Sequence, residues 1–305
     1  MSQLLKKAQG YFENGEINQA MDILTIIKSS KKSIQGTDLL RAKCFLQMGE
    51  GNYSTARESI KEELRFHPTN NEANLLFKKL FSEIDLSTYS ESHDFLEIAE
   101  KLSFYTMMPM KHLFNLFQIT KELLLKNVPG NFVECGVAAG GSSALLGALI
   151  KKYDSKNRIC YSFDTFSGMP SPTNEDRVNG KDAEGTWWGQ GTCAAPLQSL
   201  IDACNEVDSL PYVIPIQGLF QDTLATTRTK IGKIALLHID CDWYESTKCV
   251  LENFFPLLNS GSKIIIDDFD YWDGVKRAYE QYSKKTSIDY HIEKLTETTA
   301  LIEIP

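Results

Sequence analysis

Six acidic side chains in this 305-residue chain stand where apolar runs end, and acids so placed are able to do chemistry. Four of them follow two neighbouring runs: Asp240 and Asp242 after Ile234-Ala-Leu-Leu-His-Ile, and Asp267 and Asp268 after Ile264-Ile-Ile. Delivered to one edge of a parallel sheet, four carboxylates repel one another strongly, and folding tolerates this when a cation sits among them. Oxygen donors alone favour Mg²⁺, with Mn²⁺ or Ca²⁺ as alternatives. Asp240, Asp267 and Asp268 converge best as metal ligands. Residues two apart share a face of a strand, so Asp242 lies beside Asp240 without binding the ion, which suits a general base. Asp270 and Asp273 read as surface acids at helix N-termini.

The other two acids describe a second pocket. Glu134 is followed by Cys-Gly-Val-Ala-Ala-Gly-Gly-Ser-Ser, in which Gly136, Gly140 and Gly141 allow a sharp turn and close approach of backbone to a ligand, while Ser142 and Ser143 are able to cap the next helix. Residue 138 is alanine, so the G-x-G-x-x-G fingerprint is absent, as is a P-loop lysine. Glu134 suits the ammonium group of an amino acid and repels phosphate. Asp164, at the end of Cys160-Tyr-Ser-Phe, is placed to accept the two hydroxyls of a ribose, or else to cap the turn after it. Together Glu134 and Asp164 describe a nucleoside with a cationic amino-acid tail, the shape of S-adenosylmethionine.

The elements that carry these residues follow from periodicity. From residue 129 onward, short apolar runs alternate with helical segments: Phe132 to Cys135, Ile159 to Phe163, Val213 to Ile216, Ile234 to Ile239, Lys263 to Ile266, and a late pair near Tyr290 to Lys294 and Thr299 to Ile304. Runs buried on both faces and joined by helices predict an α/β fold, a Rossmann-like doubly wound and mostly parallel sheet with an antiparallel addition at its end. Residues 1–85 are helical in period and echo themselves at a shift of about 34, Ala8 falling on Ala42, Tyr11 on Phe45 and Gly15 on Gly49, which predicts an all-α, tetratricopeptide-like region. Residues 86–128, from the turn-like Leu86-Ser-Thr-Tyr, form a helical linker or lid.

Composition closes off several function classes. Lys and Arg number 32 against 40 Asp and Glu, a net charge of −8, which removes the basic footprint that nucleic acid or an anionic membrane requires. The seven cysteines form no C-x-x-C pair and read as reduced core thiols. With no apolar stretch near the roughly 20 residues that cross a bilayer, the expectation is a cytoplasmic protein.

The ordered motifs Glu134-Cys-Gly with Gly140-Gly-Ser142, Phe163-Asp-Thr-Phe-Ser-Gly-Met-Pro, Gly218-Leu-Phe-Gln-Asp222, His238-Ile-Asp-Cys-Asp-Trp-Tyr-Glu-Ser-Thr and Ile266-Asp-Asp-Phe resemble the macrocin O-methyltransferase (TylF-like) family from about Tyr105 to the C-terminus. The resemblance implies Mg²⁺-dependent methyl transfer from S-adenosylmethionine to a hydroxyl of a sugar or glycosylated natural product. It implies cofactor contacts at Tyr105, Thr106, Met107, Glu134, Gly136, Ser142, Asp164 and Asp222, metal ligands at Asp240, Asp267 and Asp268, and a base at Asp242. The N-terminal helices lie outside the family core and are open to a homo-oligomer or a protein partner. The insert from Thr173 to Thr192 is placed to shape the acceptor pocket, with Trp187, Trp188 and Trp243 available to stack on a sugar or to fill core. His238 reads as a core imidazole, and His291 as able to reach the acceptor. Two rival readings stand: a D-x-D nucleotide-sugar glycosyltransferase built on Asp240-Cys-Asp242, and a non-catalytic scaffold.

Overall fold

The computed structural model describes residues 3–30, 33–49, 52–81, 87–154, 157–183, 186 and 188–305, so Leu86 and Trp187 lie outside the described residues. Two compact units emerge: Met1–Ser90 with Ser167–Ser171 and Thr186–Pro196, and Glu91–Phe166 with Pro172–Gly185 and Leu197–Pro305. The insert is therefore divided between them.

The first unit is helical, with α1 (Gln3–Glu13), α2 (Ile17–Ser29), α3 (Thr37–Gln47), α4 (Tyr53–Phe66) and α5 (Asn71–Phe81). The echoing alanines Ala8, Ala20, Ala42 and Ala56 are all fully enclosed, which lets α1 pack on α2 and α3 on α4 at short range. Pro68 follows the end of α4, and the Asn70 side-chain oxygen accepts the Ala73 N–H at 3.3 Å to start α5. The interior carries charge. Lys28 Nζ donates to both Asp38 and Glu62, Arg41 pairs with Asp38 at 3.4 Å, and Glu63 accepts the N–H groups of Gly36, Asp38 and Leu39 and the Asn70 amide.

Two short segments fold with these helices. Gly191 and Met169 exchange a hydrogen bond of 2.9 Å, and Met169 N–H donates to Thr192 O at the same distance. Glu62 accepts the Ala194 N–H at 3.1 Å. Gly191 has φ +82°, and a Cβ there would come within 2.4 Å of the Lys28 carbonyl, so only glycine lets the segment lie against the end of α2.

The second unit begins with α6 (His93–Leu102) and α7 (Met110–Leu125) and then alternates: β1 (Asn131–Cys135), α8 (Gly141–Tyr153), β2 (Cys160–Asp164), a two-stranded ribbon of β3 (Arg177–Val178) and β4 (Lys181–Asp182), α9 (Leu197–Glu206), β5 (Val213–Gln217), α10 (Phe220–Ile231), β6 (Ile234–Ile239), α11 (Tyr244–Phe254), β7 (Leu258–Ile266), α12 (Asp273–Thr286), β8 (Ile292–Lys294) and β9 (Ala300–Glu303). The seven-stranded sheet runs β5-β2-β1-β6-β7-β9-β8, parallel from β5 to β7 and antiparallel at β9 and β8. All six residues of β6 are buried, as a strand covered on both faces requires. The chain builds outward from β1 to β2 and β5, then returns to the other side of β1 with β6. The strand order reverses there, and the crevice at the carboxyl ends of β1 and β6 is where such sheets take ligands. Among the described residues, no helix is long and apolar enough to cross a membrane.

Candidate active site

Backbone geometry fixes the crevice first. Asp240 N–H donates to Cys135 O at 2.8 Å and Asp267 N–H to Ile239 O at 2.8 Å, so the two acid-bearing ends continue the ladder just beyond β1, β6 and β7. The turn after β1 depends on Gly136, φ +91°, where a Cβ would stand 1.7 Å from the Asp240 carbonyl. No other residue fits that approach. Gly141 N–H donates to Tyr105 O at 2.8 Å, which brings the Tyr105-Thr106-Met107 segment against the same turn, and Thr106 is buried there.

The four carboxylates then meet. Burial, and after it the charges of Asp267 and Asp268, push the Asp240 carboxyl well above its ordinary value. Asp242 is pushed up to about 7, by burial and then by Asp240, while hydrogen bonds to Asp268 and Trp272 work the other way. The Asp268 carboxyl is likewise raised, by burial and by Asp242 and Asp267. Asp242 and Asp268 have φ +61° and +55°, a left-handed backbone that aspartate tolerates better than most residues and that aims both side chains off the strand direction.

Asp267 behaves differently. Burial works to raise it, yet His112 and Thr299 outweigh burial and hold it below its ordinary value. His112 Nδ1 stands 3.2 and 3.4 Å from its two oxygens, and the Thr299 hydroxyl donates to it at 2.6 Å. His112, on the first turn of α7, and Thr299, just before β9, escaped the sequence reading. So did Asp176, a fully buried acid within the insert, whose carboxylate accepts the N–H of Tyr244 at 2.7 Å and of Thr173 at 2.7 Å. It therefore holds the start of α11, two residues after Asp242. No spacing signals these residues, because their partners lie 155, 32 and 68 positions away. A histidine near the start of a helical segment is the one hint that the sequence offers.

The donor set has the donor chemistry that suits Mg²⁺: carboxylate oxygens from two adjacent strand ends, mutually repelling, with Asp267 buried and Asp240, Asp242 and Asp268 half-buried. Among the described residues, no three His, Cys, Asp or Glu side chains already stand at metal-holding spacing. Asp268 is turned to Asp242 and Asp267 to His112, so binding an ion requires these carboxylates to exchange partners.

Around the second pocket the placements divide. Glu134 is fully enclosed, and both its oxygens are engaged, Oε1 by His238 Nδ1 at 2.9 Å and Oε2 by the Ser143 hydroxyl. Asp164 accepts N–H groups from Val137 at 2.7 Å and Ala138 at 3.0 Å, which tie it to the turn after β1, and from Phe166 at 2.7 Å. It thus caps two turns at once, and burial holds its carboxyl above the ordinary value despite those donors. Ser142 is buried in the first turn of α8. Asp222 is exposed in the first turn of α10 and stands apart from the acid group, joined to this edge through Gly218, whose N–H donates to Asp164 O at 2.9 Å.

Three other candidates have definite places. Trp243 is core, 1% exposed and edge-on to Trp272 at 4.9 Å, and Trp188 is half-buried. His291 departs from expectation. Ile292 pairs with Ile302 and Ile302 with Ile264, whereas Ala300 pairs with Ile266 at the acid end. His291, preceding Ile292, is exposed towards the opposite edge of the sheet from the acids.

Sequence comparison places this geometry among known proteins. The chain is 30% identical over 185 residues to demethyldecarbamoylnovobiocin O-methyltransferase of Streptomyces niveus, covering 60% of this chain and 70% of the relative. It is 31% identical over 197 residues, 64% of this chain and 73% of the relative, to 8-demethyl-8-(2,3-dimethoxy-alpha-L-rhamnosyl)-tetracenomycin-C 4'-O-methyltransferase of Streptomyces olivaceus. The O-methyltransferase NovP superimposes with a TM-score of 0.59 at 28% identity, over 65% of this chain and 81% of that one. A calicheamicin methyltransferase shares the fold, with a TM-score of 0.54 at 21% identity over 82% and 91%. The family profile described as macrocin O-methyltransferase (TylF) matches residues 37–302. That span opens at the first residue of α3, well before Tyr105, and takes in the four helices α3 to α6 that precede that residue. The chain belongs to the macrocin O-methyltransferase (TylF) family of S-adenosylmethionine-dependent O-methyltransferases.

Proposed function

We propose that this enzyme transfers a methyl group from S-adenosylmethionine to a sugar hydroxyl of a glycosylated natural product, with a divalent cation, Mg²⁺ by its donor chemistry, held by Asp240, Asp267 and Asp268. One observation carries the reading: the repelling acids of β6 and β7 sit at the strand ends beside the Gly136 turn, where the Asp240 carbonyl leaves no room for a side chain. The relatives named for novobiocin and tetracenomycin glycosides supply the acceptor class. When bound, Mg²⁺ would lower the acidity barrier of an acceptor hydroxyl.

The chain's own residues do the rest. Asp242, with a carboxyl near neutrality, is suited to take the hydroxyl proton at its Oδ atoms, because a base works best when its pKa lies close to the working pH. His112 and Thr299 keep Asp267 ionised and oriented for a cation. Asp164 braces the turn that faces the cofactor through the Val137, Ala138 and Phe166 N–H groups, and ribose hydroxyls would replace the long 3.4 Å contact from the Thr165 hydroxyl. Glu134 lies beneath that turn as the counter-charge for the amino-acid tail, and the segments at Tyr105–Met107 and Asp222 flank the nucleoside.

Methyl transfer from labelled S-adenosylmethionine to a panel of sugar-bearing acceptors, with and without EDTA, tests the reading. Turnover should vanish with EDTA and return with MgCl₂, and Asp242→Asn should lower kcat about 10²- to 10⁴-fold. Metal-independent turnover would remove the cation from the mechanism, and UDP-sugar hydrolysis without methyl transfer would favour the glycosyltransferase.

A further inference from the structure

We propose that His238 is a positioning residue for the amino-acid end of the cofactor: with Ser143 it fixes the Glu134 carboxylate under the Gly136 turn, where its charge meets the ligand's ammonium group. This rests on the cofactor reading above and adds a residue to it.

Three strands and one helix build the arrangement. Glu134 on β1 lies in register between Ser162 on β2 and His238 on β6. His238 Nδ1 is 2.9 Å from Glu134 Oε1, the Ser143 hydroxyl donates to Oε2, and Ser143 Oγ lies 2.7 Å from Ser162 Oγ. All four residues are entirely enclosed.

The imidazole is a costly way to fill that space. With Nδ1 spent on a carboxylate, Nε2 is left buried without a hydrogen-bond partner among the described residues, and an unsatisfied polar atom in a core is unfavourable. Leucine or phenylalanine would supply the volume, as in the rest of the run Ile234-Ala-Leu-Leu-His-Ile. What an apolar side chain cannot supply is the N–H that orients Glu134. In turn, among the described residues Glu134 has no Lys or Arg salt bridge; its ion-pair partner there is His238, charged only if protonated. A hydroxyl and an imidazole leave roughly two of the lone-pair sites of its carboxylate open. Inside a protein an anion is felt over several ångström more strongly than in water, so an approaching ammonium need not displace those donors.

The ligand pair that isolates this role is S-adenosylhomocysteine and 5′-methylthioadenosine, which share the nucleoside thioether and differ in the amino-acid tail. Titration calorimetry on the wild type and on His238→Phe, His238→Asn and His238→Gln reads both. The Phe variant should bind S-adenosylhomocysteine about tenfold or more weakly and 5′-methylthioadenosine as the wild type does. The Asn variant, whose amide reaches the place of Nδ1, should recover most of the loss, and the Gln variant, whose amide reaches the place of Nε2, should not. Equal losses for both ligands in the Phe variant would make His238 a purely structural residue and overturn the proposal, as would unchanged S-adenosylhomocysteine binding. If the Phe variant does not fold, identical behaviour of the Asn and Gln variants overturns it instead. A wild type that binds neither ligand would overturn the cofactor reading itself, and the assignment with it.

Discussion

Two clusters of charge stand in this chain, one in the helical unit and one at the edge of the sheet, and they are built on opposite plans. In the helical unit the buried acids Asp38, Glu62 and Glu63 have each been given a partner of the other sign or a row of N–H groups: Asp38 and Glu62 share Lys28, Arg41 joins Asp38, and Glu63 caps the start of α3. At the edge of the sheet, Asp240, Asp242 and Asp268 face one another, and burial with mutual repulsion lifts all three. A network closed on itself needs nothing further and serves architecture. An open set of like charges is completed only from outside, by protons or by a cation, and the partial exposure of Asp240, Asp242 and Asp268, beside the buried Lys28 network, leaves the way open for either.

Removing one member of each cluster should therefore have opposite consequences. Asp268→Ala should lower methyl transfer by at least about a thousandfold while leaving the thermal midpoint unchanged or raised, because it relieves repulsion. Radiolabel transfer and calorimetry on the same sample measure both, and undiminished turnover would dissolve the contrast. Lys28→Met should do the reverse in the helical unit. It strands Glu62 without its cation and leaves Asp38 to Arg41 alone, so urea unfolding should show a loss of about 3–5 kcal/mol.

The smallest effect sharpens the comparison through pH. Asp242 titrates near 7 in the folded chain, above its value of about 3.9 when unfolded, so the folded state holds the extra proton between these limits. The stabilisation is fully present below pH ~4 and is lost as pH rises towards 7, at up to about 1.4 kcal/mol per pH unit for one proton. Without divalent ions the enzyme should melt lower at pH 8 than at pH 5, and MgCl₂ should restore the difference at pH 8 with little effect at pH 5. A Mg²⁺ response equal at the two pH values would argue against ion and proton competing for one site.

Much of this was legible in the residues. The apolar runs from Phe132 to Ile266 are the parallel strands observed, because a strand buried on both faces admits few polar residues, and the acids at their ends mark the ligand edge. The glycine at 136 announced a close approach, and the Asp240 carbonyl is what approaches. Less legible was everything that depends on which strands become neighbours. That Asp267 answers to His112, that Tyr244 answers to Asp176, and that His238 sits beside Glu134 follow from sheet order and helix placement. His291 shows the same lesson in reverse: a residue close in sequence to the last strands is carried by antiparallel pairing away from the acids. The family span also reaches α3 to α6, helices whose even periodicity carries no sharp motif.

The short segment around Gly191 has a practical corollary. Its backbone rests on the carbonyl of Lys28, and its Ala194 N–H is received by Glu62, so its conformation is written partly in α2 and α4. Anyone grafting residues 186–196 into a related enzyme to alter what it methylates would have to carry those two helices along, since the loop transplanted by itself would arrive without the surface that shapes it.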